Sequence, residues 1–325
     1  MKVSILGSGS FATAIAQILT DNGNEVLLFT NDLEQIDEIN IKKTNKKYYK
    51  DFLFDSCVRA TASIHETLKF SNIIVIALPS HIISKILENL NKIITEEKIF
   101  INMSKGIDYK NLTTISEIIE NKVDKRYINH IYSLTGPSFA NEVIERKITK
   151  LMLASENMSS SKKIISLFEN DYIKIDKTTD IIGIELLSSI KNVIALASGI
   201  LYGLGYKENT HAYLITLGIK EMQKIAPFYD IETSTIYSVS GLGDLLLTSS
   251  SKTSRNFITG FKVGEGKSIK KAVESTKTIV EGIECSKSLY KFSKLHKIKL
   301  PICSAVYNIF YKEKKAKDEI LKIFQ

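Results

Sequence analysis

The sequence predicts an α/β protein of two domains, a doubly wound domain over residues 1–179 and an all-helical domain over residues 180–325. Three observations carry that prediction. The chain opens on MKVSILGSGSFATAI, where residues 2–6 read as a buried strand, Gly7-Ser8-Gly9 as a tight turn and residues 10–19 as a helix packed on that strand. Strand-like runs then recur at 25–30, 72–78, 99–103, 131–135, 151–154 and 172–175, separated by other segments, as in a sheet wound with helices. From Thr179 the strand signals stop, and the apolar spacing is helical nearly to Gln325, apart from Gly/Ser-rich interruptions near 240–255 and 264–268.

The opening unit has a chemical reading. Gly7 makes the turn, Gly9 lets backbone approach a pyrophosphate, and the small Ala12 lets the helix pack close, while the helix N-terminus offers free N–H groups to phosphates. Together with the strand before it and the helix after it, G-x-G-x-x-A predicts dinucleotide binding in a Rossmann-type domain. Asn31-Asp32 follows the second strand, where an acidic side chain would hold the ribose hydroxyls and a basic one would favour a 2′-phosphate. Asp32 argues for NAD. The lysines at 42–47 would supply charge to the phosphate of NADP only if their loop folds back, and a solvated loop is the plainer reading.

Residues 72–78 (NIIVIAL) form a nearly continuous apolar run, the profile of a central strand buried on both faces, and it ends at Pro79-Ser80 with His81 opening the next helix. The run at 99–103 ends at Ser104-Lys105-Gly106, which places a lysine where open α/β sheets bind ligands; a plain loop lysine fits equally well. After 131–135 come Gly136-Pro137-Ser138-Phe139-Ala140. Proline at a first helical position with Ser138 just inside predicts a helix start able to hold an anion, or a simple strand-to-helix turn.

In the second domain, residues 181–201 are apolar almost all round, so this helix is expected to be buried on most faces. Lys191 is its only basic residue, and its same-face neighbours include Ile184, Leu187, Ile194 and Ala195. Burial favours the neutral amine, which suits a general base for alcohol oxidation; snorkelling to the surface is the alternative. Ser240-Gly241-Leu242-Gly243-Asp244 delivers one carboxylate from a loosened turn. Ser254-Arg255-Asn256 would make an oxyanion cradle, or else a helix cap beside a surface arginine.

Composition excludes other classes. A chain with 44% hydrophobic and 25% charged residues is that of a soluble globular protein. The net charge of +8 comes from scattered lysines with only four arginines, a pattern of solvation and not of nucleic-acid binding. Cys57, Cys285 and Cys303 specify neither disulfides nor zinc, and no metal signature is present. No unbroken apolar run approaches a membrane span, so a cytoplasmic protein with a small-molecule substrate is expected, binding neither nucleic acid nor membrane.

Taken together, GSGSFATAIA at 7–16, ALPS at 77–80, SKGI at 104–107, GPSFANEV at 136–143, SIKNVIALASGI at 189–200, GLGDLLLT at 241–248, SRN at 254–256 and VEG at 280–282 resemble the bacterial NAD(P)-dependent glycerol-3-phosphate dehydrogenases over essentially the whole chain. The resemblance implies cofactor contacts by Ser10, Phe11, Lys105, Ala140, Arg255, Ile279 and Glu281. It implies a substrate site of Lys105, Gly136, Ser138, Lys191, Asp244, Ser254, Arg255 and Asn256 in the cleft between the domains, with Lys191 as the proton acceptor. A homodimer supplying glycerol 3-phosphate for phospholipids is likewise what the family implies. Two departures stand out: Asn31 replaces the family's usual Arg or His, and Tyr48-Tyr49-Lys50-Asp51 replaces its Tyr-Leu-Pro-Gly turn. A related dehydrogenase of 3-hydroxy acids and a non-catalytic dinucleotide sensor are the alternatives.

Overall fold

The computed structural model describes residues 1–276 and 279–325. These fall into two units, Met1–Lys105 with Thr114–Ile181, and Gly106–Thr113 with Ile182–Gln325. The division falls after Ile181, two residues past the expected boundary at residue 179, and one further segment changes sides. Gly106–Thr113 belongs with the helical unit, where the Tyr109 carbonyl accepts a hydrogen bond from the Ser288 hydroxyl.

In the first unit the strands are β1 (Lys2–Leu6), β2 (Glu25–Phe29), β3 (Thr44–Asn45), β4 (Tyr49–Leu53), β5 (Val58–Thr61), β6 (Ile73–Ile76), β7 (Lys98–Asn102), β8 (Ile128–Thr135), β9 (Thr149–Ala154) and β10 (Ile173–Thr178). One sheet has the order β10-β9-β8-β7-β6-β1-β2-β5. From β5 to β8 every pairing is parallel, β8 pairs antiparallel with β9, and β9 and β10 pair parallel, so the last two strands run against the other six.

Alternation explains why the central strands are apolar throughout. Ile73, Val75, Ile99 and Ile101 join the core on one face, with helix Ser10–Asp21, while Ile74, Ile76 and Phe100 join the core on the other, with helices Ser80–Asn91 and Ile115–Lys122. A sheet covered on both faces needs apolar residues at every position, not every second one. The chain leaves β1 for β2 on one side and returns to β6 on the other. The carboxyl ends of β1 and β6 thus form the point where such sheets bind ligands.

The sequence reading passed over β3, β4 and β5. Thr44–Asn45 and Tyr49–Leu53 form a small antiparallel hairpin within the lysine-rich stretch read as a solvated loop, and Val58–Thr61 is one of the sheet's two edge strands. The expected helix start at Pro137 is also corrected. The helix is Ala140–Ile144, too short to offer an anion site, and Pro137 and Ser138 lie in the turn before it, where the Ser138 hydroxyl donates to the Gly136 carbonyl at 3.1 Å.

The described residues of the second unit carry helices and, apart from an isolated bridge between Asp108 and Thr113, no β-structure. At its centre is Ile181–Gly203, in which Ile184, Leu187, Ile190, Val193 and Ile194 are all buried. It is the one helix among the described residues long and apolar enough to cross a membrane, yet 94% of its most apolar window is buried in the fold, which is the behaviour of a core helix. Helix Arg255–Gly264 crosses it at very short range. A Cβ on Gly260 would stand 2.1 Å from the Leu196 carbonyl oxygen, and one on Gly199 2.0 Å from that of Phe257.

Candidate active site

At the carboxyl ends of the parallel strands, the glycine turn has the shape a pyrophosphate needs. Gly7 has φ +124°, and a Cβ there would meet the Ala77 carbonyl oxygen at 2.4 Å, so only glycine fits. Around Gly9, by contrast, a Cβ would find only the Tyr48 hydroxyl, at 3.9 Å. The space is open and would be filled by any side chain. Gly9 is also the N-cap of helix Ser10–Asp21 and provides no side chain to satisfy its first N–H groups. These residues fit a dinucleotide.

The turn is fastened from beneath. The Asn45 amide donates to the Ser8 carbonyl (3.0 Å) and the Thr13 hydroxyl (2.8 Å), and Gln35 donates to Ser8 and to Asn45. Ser10 shares a 2.6 Å hydrogen bond with the Tyr49 hydroxyl, whose pKa burial pushes up. Thus the β3–β4 hairpin is tied to the glycine turn by Asn45 and Tyr49, neither of which was singled out from sequence as a site residue. Phe11 is half-buried and Ala12 buried, the latter in the core beneath the sheet.

At the ribose position Asn31 is exposed. Asp32 caps helix Leu33–Asp37 by accepting from the Gln35 N–H, and it pairs with Lys47 at 2.9 Å. The Lys47 ammonium, and then the Gln35 N–H, hold the Asp32 carboxyl below the usual range; in return Asp32 raises the lysine. The lysine-rich stretch therefore does fold back toward the residue that follows β2.

Lys105 is half-buried in the turn after β7, where Ser104 accepts from the Leu78 N–H (3.0 Å) and so ties the ends of β6 and β7 together. Gly136 turns the chain after β8, with φ +154° and a Cβ position 2.9 Å from the Lys150 carbonyl oxygen. Ala140 starts the helix beyond it. Lys105, Gly136 and Ser138 all follow the ends of adjacent parallel strands.

In the helical unit, Lys191 and Asp244 form an ion pair with side-chain exposures of 1% and 0%. A π-helical turn, Val239–Gly243, leads into helix Asp244–Ser250 and aims the carboxylate at the lysine. Its Gly241 permits the close pass, since a Cβ there would lie 2.3 Å from the Ile236 carbonyl oxygen. The Thr248 hydroxyl donates to the other Asp244 oxygen at 3.3 Å. Lys191 does not snorkel, and its surroundings are not wholly apolar.

The next residue, Asn192, donates to Glu281 at 3.2 Å. Asn256 accepts from the Gly282 N–H at 3.0 Å, which leaves its NH2 group as donor. Arg255 is exposed, with Nη1 3.5 Å from the carbonyl of exposed Ile279. Ser254 is buried and caps helix Arg255–Gly264, accepting from the Phe257 N–H at 3.4 Å. Asn192 was missed in the sequence, although a polar residue beside Lys191 in an apolar helix was a visible signal. Among the described residues no group of acidic, histidine and cysteine side chains could hold a metal.

A mixed α/β sheet with a phosphate-ready glycine turn, accompanied by a helical unit holding a buried lysine and carboxylate, defines the class as an NAD(P)-dependent oxidoreductase. Comparison with known proteins narrows it. Residues 2–161 match the N-terminal domain, and residues 180–321 the C-terminal domain, of NAD-dependent glycerol-3-phosphate dehydrogenase, and the chain belongs to this family. Glycerol-3-phosphate dehydrogenase [NAD(P)+] of Staphylococcus epidermidis is 36% identical over 312 residues, 96% of this chain and 94% of the relative. The Staphylococcus aureus enzyme of the same name is 36% identical over 98% of this chain and 96% of its own. The crystal structure of glycerol-3-phosphate dehydrogenase from Coxiella burnetii superposes with a TM-score of 0.93 at 27% identity, covering 100% of this chain and 98% of that one.

Proposed function

We propose that the protein interconverts dihydroxyacetone phosphate and sn-glycerol 3-phosphate, with Lys191 exchanging the proton at the C2 oxygen. The observation that carries this reading is the buried Lys191–Asp244 pair in a chain of this family. When bound, the nicotinamide supplies or accepts the hydride. In the reductive direction the Lys191 ammonium donates its proton to the C2 carbonyl oxygen as C2 gains the hydride, leaving the hydroxyl of glycerol 3-phosphate. In oxidation the neutral amine takes that proton back.

Lys191 and Asp244 are both buried, and the carboxylate offsets the cost of holding an ammonium away from water. In a dry site that ammonium polarises a carbonyl far more strongly than it would in water. Asp244 positions the amine, and Thr248 in turn holds Asp244. For the phosphate, the donors the helical unit offers are the Arg255 guanidinium and the Asn256 NH2, and Ser254 contributes by setting the helix start on which they sit. In the reductive direction the product would feed phospholipid synthesis, a cytoplasmic role, and a homodimer accords with the family.

Family membership favours this reading over a 3-hydroxy-acid dehydrogenase or a sensor. The test is NADH and NADPH oxidation with dihydroxyacetone phosphate, beside a 3-oxo acid of the same length. Turnover confined to the phosphate ester is expected; turnover with the oxo acid alone, or with neither, would reject it.

A further inference from the structure

The helical unit concentrates positive charge at a place the proposed reaction does not use. Helix Glu281–Leu295 ends in a turn where Lys297 is left-handed, and the chain then enters helix Pro301–Lys312. A cavity of about 630 Å³ opens there, lined by five lysines: Lys224, Lys294, Lys297, Lys299 and Lys322. Between them its wall includes the apolar side chains of Ile298, Leu300 and Ile323.

The charges are poorly compensated. Among the described residues only Lys322 of the five has a carboxylate at ion-pair distance, Glu319 at 2.5 Å. Lys224 donates to the Lys299 carbonyl at 3.0 Å, and Lys294 stands over the Tyr290 ring at 5.3 Å. These contacts hold the side chains without removing charge. All five side chains are exposed, and the Lys299 carbonyl tethers Lys224 on the rim the two share. An anion bound there would offset the charge of the four lysines that lack a carboxylate, and lysine, a compact point charge, suits phosphate groups.

We propose that this cavity binds a small organic anion carrying phosphate or pyrophosphate, its apolar part resting on Ile298, Leu300 and Ile323. None of its lining residues belongs to the candidate active site. The ligand chemistry is common to a free phosphorylated metabolite and to a phospholipid headgroup, and the test separates the two sources.

Inorganic pyrophosphate is titrated by calorimetry into the full chain saturated with NADH, which occupies the glycine turn, for the wild type and for Lys297→Gln/Lys299→Gln. The same proteins are sedimented with vesicles of phosphatidylcholine alone or mixed with phosphatidylglycerol. The expected result is pyrophosphate binding weakened at least about tenfold in the double variant, with NADH affinity unchanged. Retention on phosphatidylglycerol vesicles, displaced by pyrophosphate and lost in the variant, assigns the site to a headgroup; pyrophosphate binding without retention assigns it to a free phosphate compound. Equal affinity in wild type and variant, or no binding of either probe to the wild type, overturns the proposal.

Discussion

Lys191, midway along the central helix of the second unit, and Asp244, the first residue of a helix 53 positions later, meet as an ion pair removed from water. Removing one partner of such a pair leaves the other charge buried alone, which typically costs about 3–5 kcal/mol. Asp244→Ala should therefore lower stability by about that amount. Lys191→Met/Asp244→Asn, which removes both charges, should recover most of it. Denaturant unfolding of both variants measures the difference, and a double variant as unstable as Asp244→Ala would contradict the pairing.

Glu221 is the other buried charge with a defined consequence. It lies in helix Glu208–Ile225 and accepts from the backbone N–H groups of Ile302 (2.5 Å) and Cys303 (3.3 Å) at the start of the next-but-several helix, Pro301–Lys312. Desolvation pushes its pKa from 4.5 up to about 7. Because the folded value stands above the unfolded one, the folded chain holds an extra proton between them. The stability this contributes is complete below about pH 4.5 and is lost as pH rises through about 7, a change on the order of 3 kcal/mol. Unfolding free energies of wild type and Glu221→Gln between pH 5 and 8 check it: the variant should lose this slope, and an identical slope in both would assign it to other groups.

Dinucleotide preference should turn on Asp32 and Lys47. Their pairing holds Lys47 near the ribose position while spending its charge on Asp32, so the wild type should accept both cofactors. Asp32→Asn should release Lys47 for a 2′-phosphate, and Asn31→Arg should add a guanidinium there, each raising NADPH affinity relative to NADH by roughly tenfold. Fluorescence titration of each cofactor reads this without turnover. An unchanged ratio in both variants would remove these residues from cofactor choice.

The crossing of the two helices through Gly260 should tolerate no side chain. Its Cβ would sit 2.1 Å from a backbone oxygen, so Gly260→Ala must push the helices apart, at about 1–3 kcal/mol. A thermal midpoint equal to that of the wild type would contradict so close an approach.

What could be read from sequence follows from how local the cause is. The β1-turn-helix unit was legible because Gly7, Gly9 and Ala12 act on their own neighbours, and strands β6, β7 and β9 because burial on both sheet faces leaves apolar runs. Lys191 stood out as the only basic residue in an apolar helix. Its pairing with Asp244 was only one of the roles open to that carboxylate, since it depends on how a distant turn folds. The β3–β4 hairpin was hidden because its anchors, Asn45 and Tyr49, lie among lysines and act through hydrogen bonds to Ser8, Thr13 and Ser10, and not through apolar pattern. The Pro137 helix start failed because a proline-serine pair reads the same in a turn as in a first helical turn.

The most direct measurement is NADH oxidation with dihydroxyacetone phosphate by wild type and Lys191→Met, alongside NADH binding by fluorescence. Wild-type turnover, its near-complete loss in the variant and unchanged NADH affinity are the predicted result. A variant that binds NADH normally and keeps at least about a tenth of wild-type turnover would contradict the assignment of the proton to Lys191.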